Sequence, residues 1–234
     1  MEDSHRGFEH SSEHSSEHSS ERAFELLQAG DADGLRRLLV QDPAASEARD
    51  SSGVSLLMHS IYRGRRDLAE LIASTKKALD IFEATSLGRL DRLKQCLRDA
   101  AAINSRSKDG FTALHFACFF GQPESARLLI ENGAAVDAVA ANPTQVMPLH
   151  SAASARNLEA ARLLLVHGAP GIVNARQQGG WVPIHAAAQN GDRAMVELLL
   201  KHRADSKLAN DDGKTPAVVA REKGHEEIAA LLEK

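Results

Sequence analysis

Four stretches of the chain align without a gap: "GFTALHFACFFG" from Gly110, "QVMPLHSAASAR" from Gln145, "GWVPIHAAAQNG" from Gly180 and "GKTPAVVAREKG" from Gly213. His115, His150 and His185 recur at 35-residue intervals, and Val218 takes the same place 33 residues later. A second apolar stretch follows each one: "ESARLLIENGA" from Glu124, "EAARLLLVHGA" from Glu159, "AMVELLLKHRA" from Ala194 and "EIAALLEK" from Glu227. A fixed period of this length marks a stacked-repeat architecture, because one helix pair exposes an apolar face that only a neighbouring copy covers. Each copy reads as a short helix, a tight turn, a second helix and a loop. Weaker copies lie upstream, with Met58, Phe82 and Phe24 in the histidine's place and Gly64, Gly88 and Gly30 six residues further on.

Individual residues agree with this register. Pro148, Pro183 and Pro216 fit the first helical position, where no backbone donor is needed and φ is already set. Thr112 and Thr215 stand where a hydroxyl caps exposed N–H groups. Gly121, Gly191 and Gly224 suit a positive φ between paired helices. Together these residues resemble the ankyrin-repeat family, whose units run roughly D-x-x-G-x-T-P-L-H-x-A-A-x-x-G, then a Leu-rich helix and a Gly-Ala-Asp-like loop. The match is strongest over residues 108–234 and weaker over 22–107. The resemblance implies an all-α ankyrin-repeat solenoid of stacked helix-turn-helix units carrying short β-hairpin fingers. It divides the chain into a disordered acidic, His- and Ser-rich tail over 1–20 and a single domain over 21–234. The units fall at about 21–50, 51–77, 78–107, 108–141, 142–177, 178–210 and 211–234. The step from Met58 to Phe82 is about ten residues short, so "LIASTKKALDIF" leaves no room for a finger and predicts a direct helix-to-helix link. The unit opening near Asn142 lacks the Asp-x-x-Gly turn and gains about two residues; Pro170-Gly171 is a further insertion.

Composition narrows the function. The net charge of −4 is supplied entirely by residues 1–22, which hold six acids and two arginines, so the rest of the chain is neutral. Neutrality argues against nucleic acid as a ligand, since phosphate binding needs a concentrated cationic face. No apolar run approaches the ~20 residues of a membrane span, and the acidic start is unlike a secretory signal. The expectation is a soluble, cytoplasmic protein, monomeric on its own. Two cysteines, Cys96 and Cys118, make no disulfide framework and read as core thiols. His115, His150 and His185 stand on separate helices about 10 Å apart, too far apart for one metal centre with ligands at ~2 Å; the resemblance implies that they tie neighbouring turns together. Gly213-Lys214-Thr215 lacks the upstream glycine of a phosphate loop, where Leu208 stands. No nucleophile, dinucleotide or zinc-peptidase pattern is present, and no enzyme, cofactor or metal site is expected. The "EHSSEHSSEHSS" triplication, Glu9 to Ser20, offers His10, His14 and His18 at four-residue spacing. That spacing carries the alternative reading, a zinc- or nickel-binding accessory protein acting through the tail.

The leading expectation is a non-enzymatic module, a scaffold or regulator, that binds a protein partner. The resemblance places binding on the concave side, at the finger tips and the outward positions of the first helices. By register these are Lys108, Phe111, Phe119 and Phe120 in one unit, Val146 in the next, and Trp181, Gln189 and Asn190 in the third. Upstream, Tyr62 and Arg63 hold the equivalent places. The only tryptophan, the only tyrosine and three of the seven phenylalanines thus fall on outward stations, whereas Phe116 falls inward. Exposed aromatics grouped on one surface mark interaction sites.

Overall fold

The computed structural model describes residues 6–168 and 170–234, with side chains from residue 18 onward apart from 169 and 170. Among these residues the regular structure is helical and no strand forms; the one isolated bridge pairs Arg49 with Ser55. The chain separates into two compact units, Met1–Glu83 and Ala84–Lys234.

The first unit contains α1 (Arg6–Ala29), α2 (Ala32–Gln41), α3 (Leu56–Tyr62), α4 (Arg66–Thr75) and the start of α5 (Ile81–Ser86). Helix α1 packs on α2 and α3, and α2 on α4, over Leu27, Leu35, Leu39, Leu56, Leu57, Leu68 and Ile72, all essentially without solvent contact. Burying side chains of this size stabilises the fold by about 2 kcal/mol each. Side chains cap α2 and α3: Asp31 accepts from Gly34 N at 2.8 Å, and Ser55 Oγ from Met58 N at 3.2 Å. The backbone of the Glu-His-Ser-Ser repeats, expected above as a disordered tail, runs within α1.

The short step after α4 does link helix to helix, through residues 76–80. What replaces the missing finger is a buried ionic knot. Asp80 Oδ1 accepts from Phe82 N and Glu83 N, both at 2.9 Å, while Glu83 Oε2 accepts from Asp80 N at 3.1 Å. This is a reciprocal capping box. Glu83 Oε1 also accepts from Ser55 Oγ at 2.7 Å and lies 3.5 Å from Lys76 Nζ, both charged side chains being 1% exposed. Lys76 Nζ reaches Glu47 Oε2 at 2.7 Å. Sequence register puts Phe82 in the histidine's place. Helix α5, however, starts one residue late, so Glu83 serves the cap.

In the second unit follow α6 (Leu90–Cys96), α7 (Ala100–Ile103), α8 (Ala113–Phe119), α9 (Pro123–Glu131), α10 (Pro148–Ser154), α11 (Leu158–His167), α12 (Pro183–Gln189), α13 (Arg193–Lys201), α14 (Pro216–Glu222) and α15 (Glu226–Leu232). The short helices α8, α10, α12 and α14 pack in series, with α9, α11 and α13 forming a second row. Ala117, Ala152, Ala153, Ala187 and Ala188 are fully buried between them, and small side chains let the helix axes approach closely. Pro148, Pro183 and Pro216 open their helices, and Thr215 caps α14. Cys118 is buried, whereas Cys96 keeps partial solvent contact.

The fingers are hairpin turns too short for strands. Ser107 N donates to Phe111 O at 2.8 Å, Gln177 N to Trp181 O at 2.8 Å, and Asn210 N to Lys214 O at 2.9 Å. The finger with the two-residue gain closes more widely, Ala140 N to Val146 O at 2.8 Å, with Gln145 at φ 52. Successive fingers are stitched by Ala141 N to Gly110 O (2.9 Å), Gln178 N to Thr144 O (3.0 Å) and Asp211 N to Gly179 O (2.9 Å). At Gly110 a Cβ would meet Ala141 O at 2.6 Å, so the stitch requires glycine.

Two arginines occupy left-handed backbone where sister units carry glycine. Arg156 has φ 57 at the station of Gly121 and Gly191, and its guanidinium bonds to Asn190 O. Arg203 has φ 68 at the station of Gly133. A Cβ in this region costs about 1–2 kcal/mol, partly offset by the greater freedom of an unfolded glycine. Arg203→Gly should therefore stabilise the protein by about 0.5–1 kcal/mol, read as a higher urea midpoint; a lower midpoint would contradict the strain argument.

Candidate functional site

The site is best built from the histidine ladder of the second unit. Within α8, α10 and α12 the histidine Nδ1 accepts from the backbone N–H that precedes the helix: Thr112 N to His115 at 3.2 Å, Met147 N to His150 at 3.1 Å, and Val182 N to His185 at 3.2 Å. With Nδ1 an acceptor, each ring is neutral and carries its proton on Nε2. That proton goes to the following unit: His115 to Val146 O at 3.0 Å, His150 to Ala175 O at 2.9 Å, and His185 to Lys214 O at 3.1 Å. The His150 bond at 2.9 Å goes to Ala175 O, just before the next finger, with the Trp181 backbone at the finger's end also interacting with the ring. Burial lowers the pKa of His115 and of His150 to about 4, and that of His185 below its usual value. The ladder thus fixes the backbone of the very fingers that carry Val146 and Lys214.

The aromatic stations divide by exposure. Phe119 is 52% exposed. Phe111 and Phe120 are half-buried, and Phe116 lies inside at 3% exposure. The four rings form one chain of contacts: Phe111 to Phe116 at 5.8 Å, Phe116 stacked on Phe120 at 6.0 Å, and Phe120 edge-on to Phe119 at 5.2 Å. Such pairs add about 0.5–1.5 kcal/mol beyond area burial. Phe116 anchors the cluster, and Phe119 presents it to solvent.

Trp181 is half-exposed on its finger, its ring 5.3 Å from that of His185. Behind it lies Gly179 at φ 76; a Cβ there would stand 3.3 Å from Trp181 Cδ1. Ser154, Gln177, Gln178, Trp181, Ala186, Gln189 and Asn190 surround an open hollow of about 330 Å³. The structure therefore brings Trp181, Gln189 and Asn190 together as one surface. Gln177, which completes its rim, was not among the sequence candidates; the finger closure at Gln177–Trp181 places it there. Asn190 Nδ2 holds Ser154 O at 3.0 Å and so braces the rim. Lys108 is exposed on its finger, and Val146 is half-buried. Tyr62 (42% exposed) and Arg63 lie at the C-terminal end of α3 in the first unit.

Among the described residues no cluster of three or more His, Cys, Asp or Glu side chains is arranged to hold a metal. The side chains of His10 and His14, on which the metal reading rests, lie outside the described residues; that of His18 is exposed. The nearest approach to catalytic geometry is His59 Nε2 to Asp50 Oδ2 at 2.6 Å in the first unit. Burial would raise the Asp50 pKa, but hydrogen bonds from Ser52, His59 and Val54 outweigh it and lower the value. Asp50 organises its finger by accepting Ser52 N at 2.9 Å and Val54 N at 3.0 Å, so the pair is accounted for by turn geometry. No described helix is long and apolar enough to cross a membrane.

A ladder of histidine-capped short helices, paired with a second row and joined by stitched fingers, defines an ankyrin-repeat protein-interaction module. The chain belongs to the ankyrin-repeat family: the model for ankyrin repeats (3 copies) matches residues 81–175 and 169–234. Relatives include mouse protein phosphatase 1 regulatory subunit 27, 36% identical over 112 residues, covering 44% of this chain and 70% of that protein. Human DNA-binding protein RFXANK is 34% identical over 96 residues, covering 40% of this chain and 37% of that protein. Ankyrin repeat domain-containing protein oryK of Aspergillus oryzae is 41% identical over 56 residues, covering 24% of this chain and 9% of that protein. The chain thus spans well under two thirds of the latter two.

Proposed function

We propose that this chain is a non-enzymatic adaptor or regulator. It binds a protein partner through the finger and first-helix stations of the Ala84–Lys234 unit, with Phe119 and Trp181 as the central contacts. The observation that carries the reading is the coexistence of an exposed Phe119, at the end of the histidine-capped α8, and a half-exposed Trp181, next to Val182, whose N–H is held by His185. Rigid display limits the ordering cost of binding, and aromatic anchors supply most interface energy. Phe111, Phe120, Val146, Lys108, Gln189 and Asn190 form the surrounding contacts; Tyr62 and Arg63 offer an equivalent surface on the first unit. Kinship with a phosphatase regulatory subunit supports a regulatory role carried out by binding another protein. A reducing, cytoplasmic setting suits two unpaired cysteines.

The test uses the full chain as bait in its native extract. The Phe119→Ala/Trp181→Ala double variant should lose the captured partner, at least tenfold in band intensity, while its melting temperature moves by no more than about 5 °C. Undiminished capture by a folded double variant would refute the assignment. Phe111 and Phe120 make poorer probes, since both rings also pack on Phe116.

A further inference from the structure

The loop after α13 reverses the charge of its counterpart after α9. Residues 131–137 read "ENGAAVD", with two acids and no base; residues 201–207, which align with them without a gap, read "KHRADSK", with three bases and one acid when His202 is left uncharged. The two loops are held in the same way. Asn104 Nδ2 donates to Gly133 O at 3.2 Å and its Oδ1 accepts from Ala135 N at 2.8 Å; Asn174 does the same for Arg203 O at 3.1 Å and Asp205 N at 2.9 Å. The turn therefore does not need the bases. Nor does the helix dipole require them, since α9 ends on Glu131 without them. Arg203 also has φ 68 where Gly133 has φ 91, and strain of this kind is characteristic of functional positions. The other arginine in left-handed backbone, Arg156, commits its guanidinium to Asn190 O. That of Arg203 makes no hydrogen bond or ion pair among the described residues, and neither do Lys201 Nζ and the His202 ring.

Lys201, His202 and Arg203 line an open cavity of about 460 Å³. Most of the remaining wall is apolar: Leu165 from α11, and Ile172 and Val173 from the 3-10 turn Pro170–Asn174. The inserted Pro170-Gly171 opens that turn, and Gly168 admits it, because a Cβ there would collide with Ile172 Cδ1. The neighbouring carboxylates do not answer the bases. Glu197 is paired with Arg193 and Glu233 with Arg221, both at 2.8 Å. Asp205 is the single acid of the loop, and its Oδ1 accepts from Lys207 N at 2.9 Å. Uncompensated bases beside an apolar wall suit an anion with an apolar body. The cavity lies at the C-terminal ends of α11 and α13, where the helix dipole opposes a dianion more than a monoanion. A carboxylate is therefore favoured over a phosphate.

We infer that this cavity binds a carboxylate carried on a small apolar group, the chemistry shared by a short-chain fatty acid and by a polypeptide C-terminus that ends in Leu, Ile or Val. Arg203 and Lys201 hold the carboxylate, and the apolar group lies on Leu165 and Ile172. The site is separate from the Phe119–Trp181 surface and does not depend on it.

Titration of the nitrogen-15-labelled full chain with four probes tests the assignment: sodium hexanoate, acetyl-Ser-Ala-Leu with a free carboxyl terminus, the same tripeptide as its C-terminal amide, and inorganic phosphate. Hexanoate and the free-acid tripeptide should shift the backbone amide resonances of Leu165, Asn174 and His202 saturably, whereas the amide and phosphate should leave them in place. The tighter of the two ligands identifies the source of the carboxylate. Arg203→Gly should weaken that ligand at least tenfold while raising the urea midpoint, a combination that a purely structural role for the side chain does not produce. Lys201→Gln, at an exposed position, should weaken it at least threefold with the midpoint unchanged, and it decides the matter if Arg203→Gly proves destabilising. Phe119→Ala/Trp181→Ala should bind as the parent chain does. Absence of saturable shifts, equal shifts with the tripeptide amide, tighter binding of phosphate, or binding unchanged in both loop variants would overturn the assignment, and none of these outcomes touches the reading of the Phe119–Trp181 surface.

Discussion

Lys76→Met should lower the unfolding free energy of the Met1–Glu83 unit by about 3–5 kcal/mol, the usual consequence of leaving a buried charge without its partner. Glu83 is fully buried and has Lys76 as its cation at 3.5 Å. Its other partners, Ser55 Oγ and Asp80 N, are neutral donors. The result would be read as a drop in the urea midpoint at unchanged slope. Adding Glu83→Gln in the same chain should recover at least half of the loss, because the carboxamide removes the charge while keeping an acceptor for Asp80 N. If Lys76→Met costs less than about 1 kcal/mol, the knot is an ordinary surface pair and our account of the missing finger fails.

Acid is the second large lever. Each ladder histidine accepts at Nδ1 from a backbone N–H, and a protonated ring would place a donor against that donor in a buried site. His115 also has the Arg106 guanidinium nearby, His185 has Arg176, and His150 has His115 itself, all opposing added positive charge. The sign follows from linkage. As pH falls below ~6.5 the unfolded rings take up protons, whereas folded His115 and His150 wait until about 4. The contribution of His115 and His150 is therefore complete above the unfolded pKa and is lost progressively between pH ~6.5 and about 4, at roughly 3 kcal/mol for each of these two rings. Melting temperature measured from pH 7.5 to 4.5 should fall steeply through this window. A His115→Gln/His150→Gln variant should start lower and fall less; a flat profile, or an equal slope in the variant, would discount the ladder as the acid-sensitive element.

Most of the helical framework is legible in the sequence because a repeat states its rule several times. One copy of His, Pro or Gly is weak, but His115, His150 and His185 at a constant interval specify a helix start, and the structure places all three at the same position of their helices. Where copies diverge, legibility falls. Spacing alone puts Phe82 in register with His115, because the glycine that ends the helix is conserved in position while the helix start has moved by one residue; only the cap geometry assigns the role to Glu83. The fingers' lack of strand character is likewise invisible in sequence, since it depends on closing distances between backbone atoms. In "FTALHFACFFG" the periodicity separates Phe116 from the other rings, yet the structure joins all four, because a ring at an outward station still reaches back over its neighbour. Nor does the hollow at Trp181 announce itself: it depends on a bare Gly179 and on side chains from three separate elements meeting.

The ladder bonds end on main-chain carbonyl oxygens of Val146, Ala175 and Lys214. Every residue type carries that oxygen, so the join between units is blind to which side chain stands at those positions. Framework and recognition are written in different atoms of the same residue. A lineage could thus exchange the outward side chains one by one, passing from one partner to another through intermediates that all fold, and a designer could do the same with a library restricted to those stations.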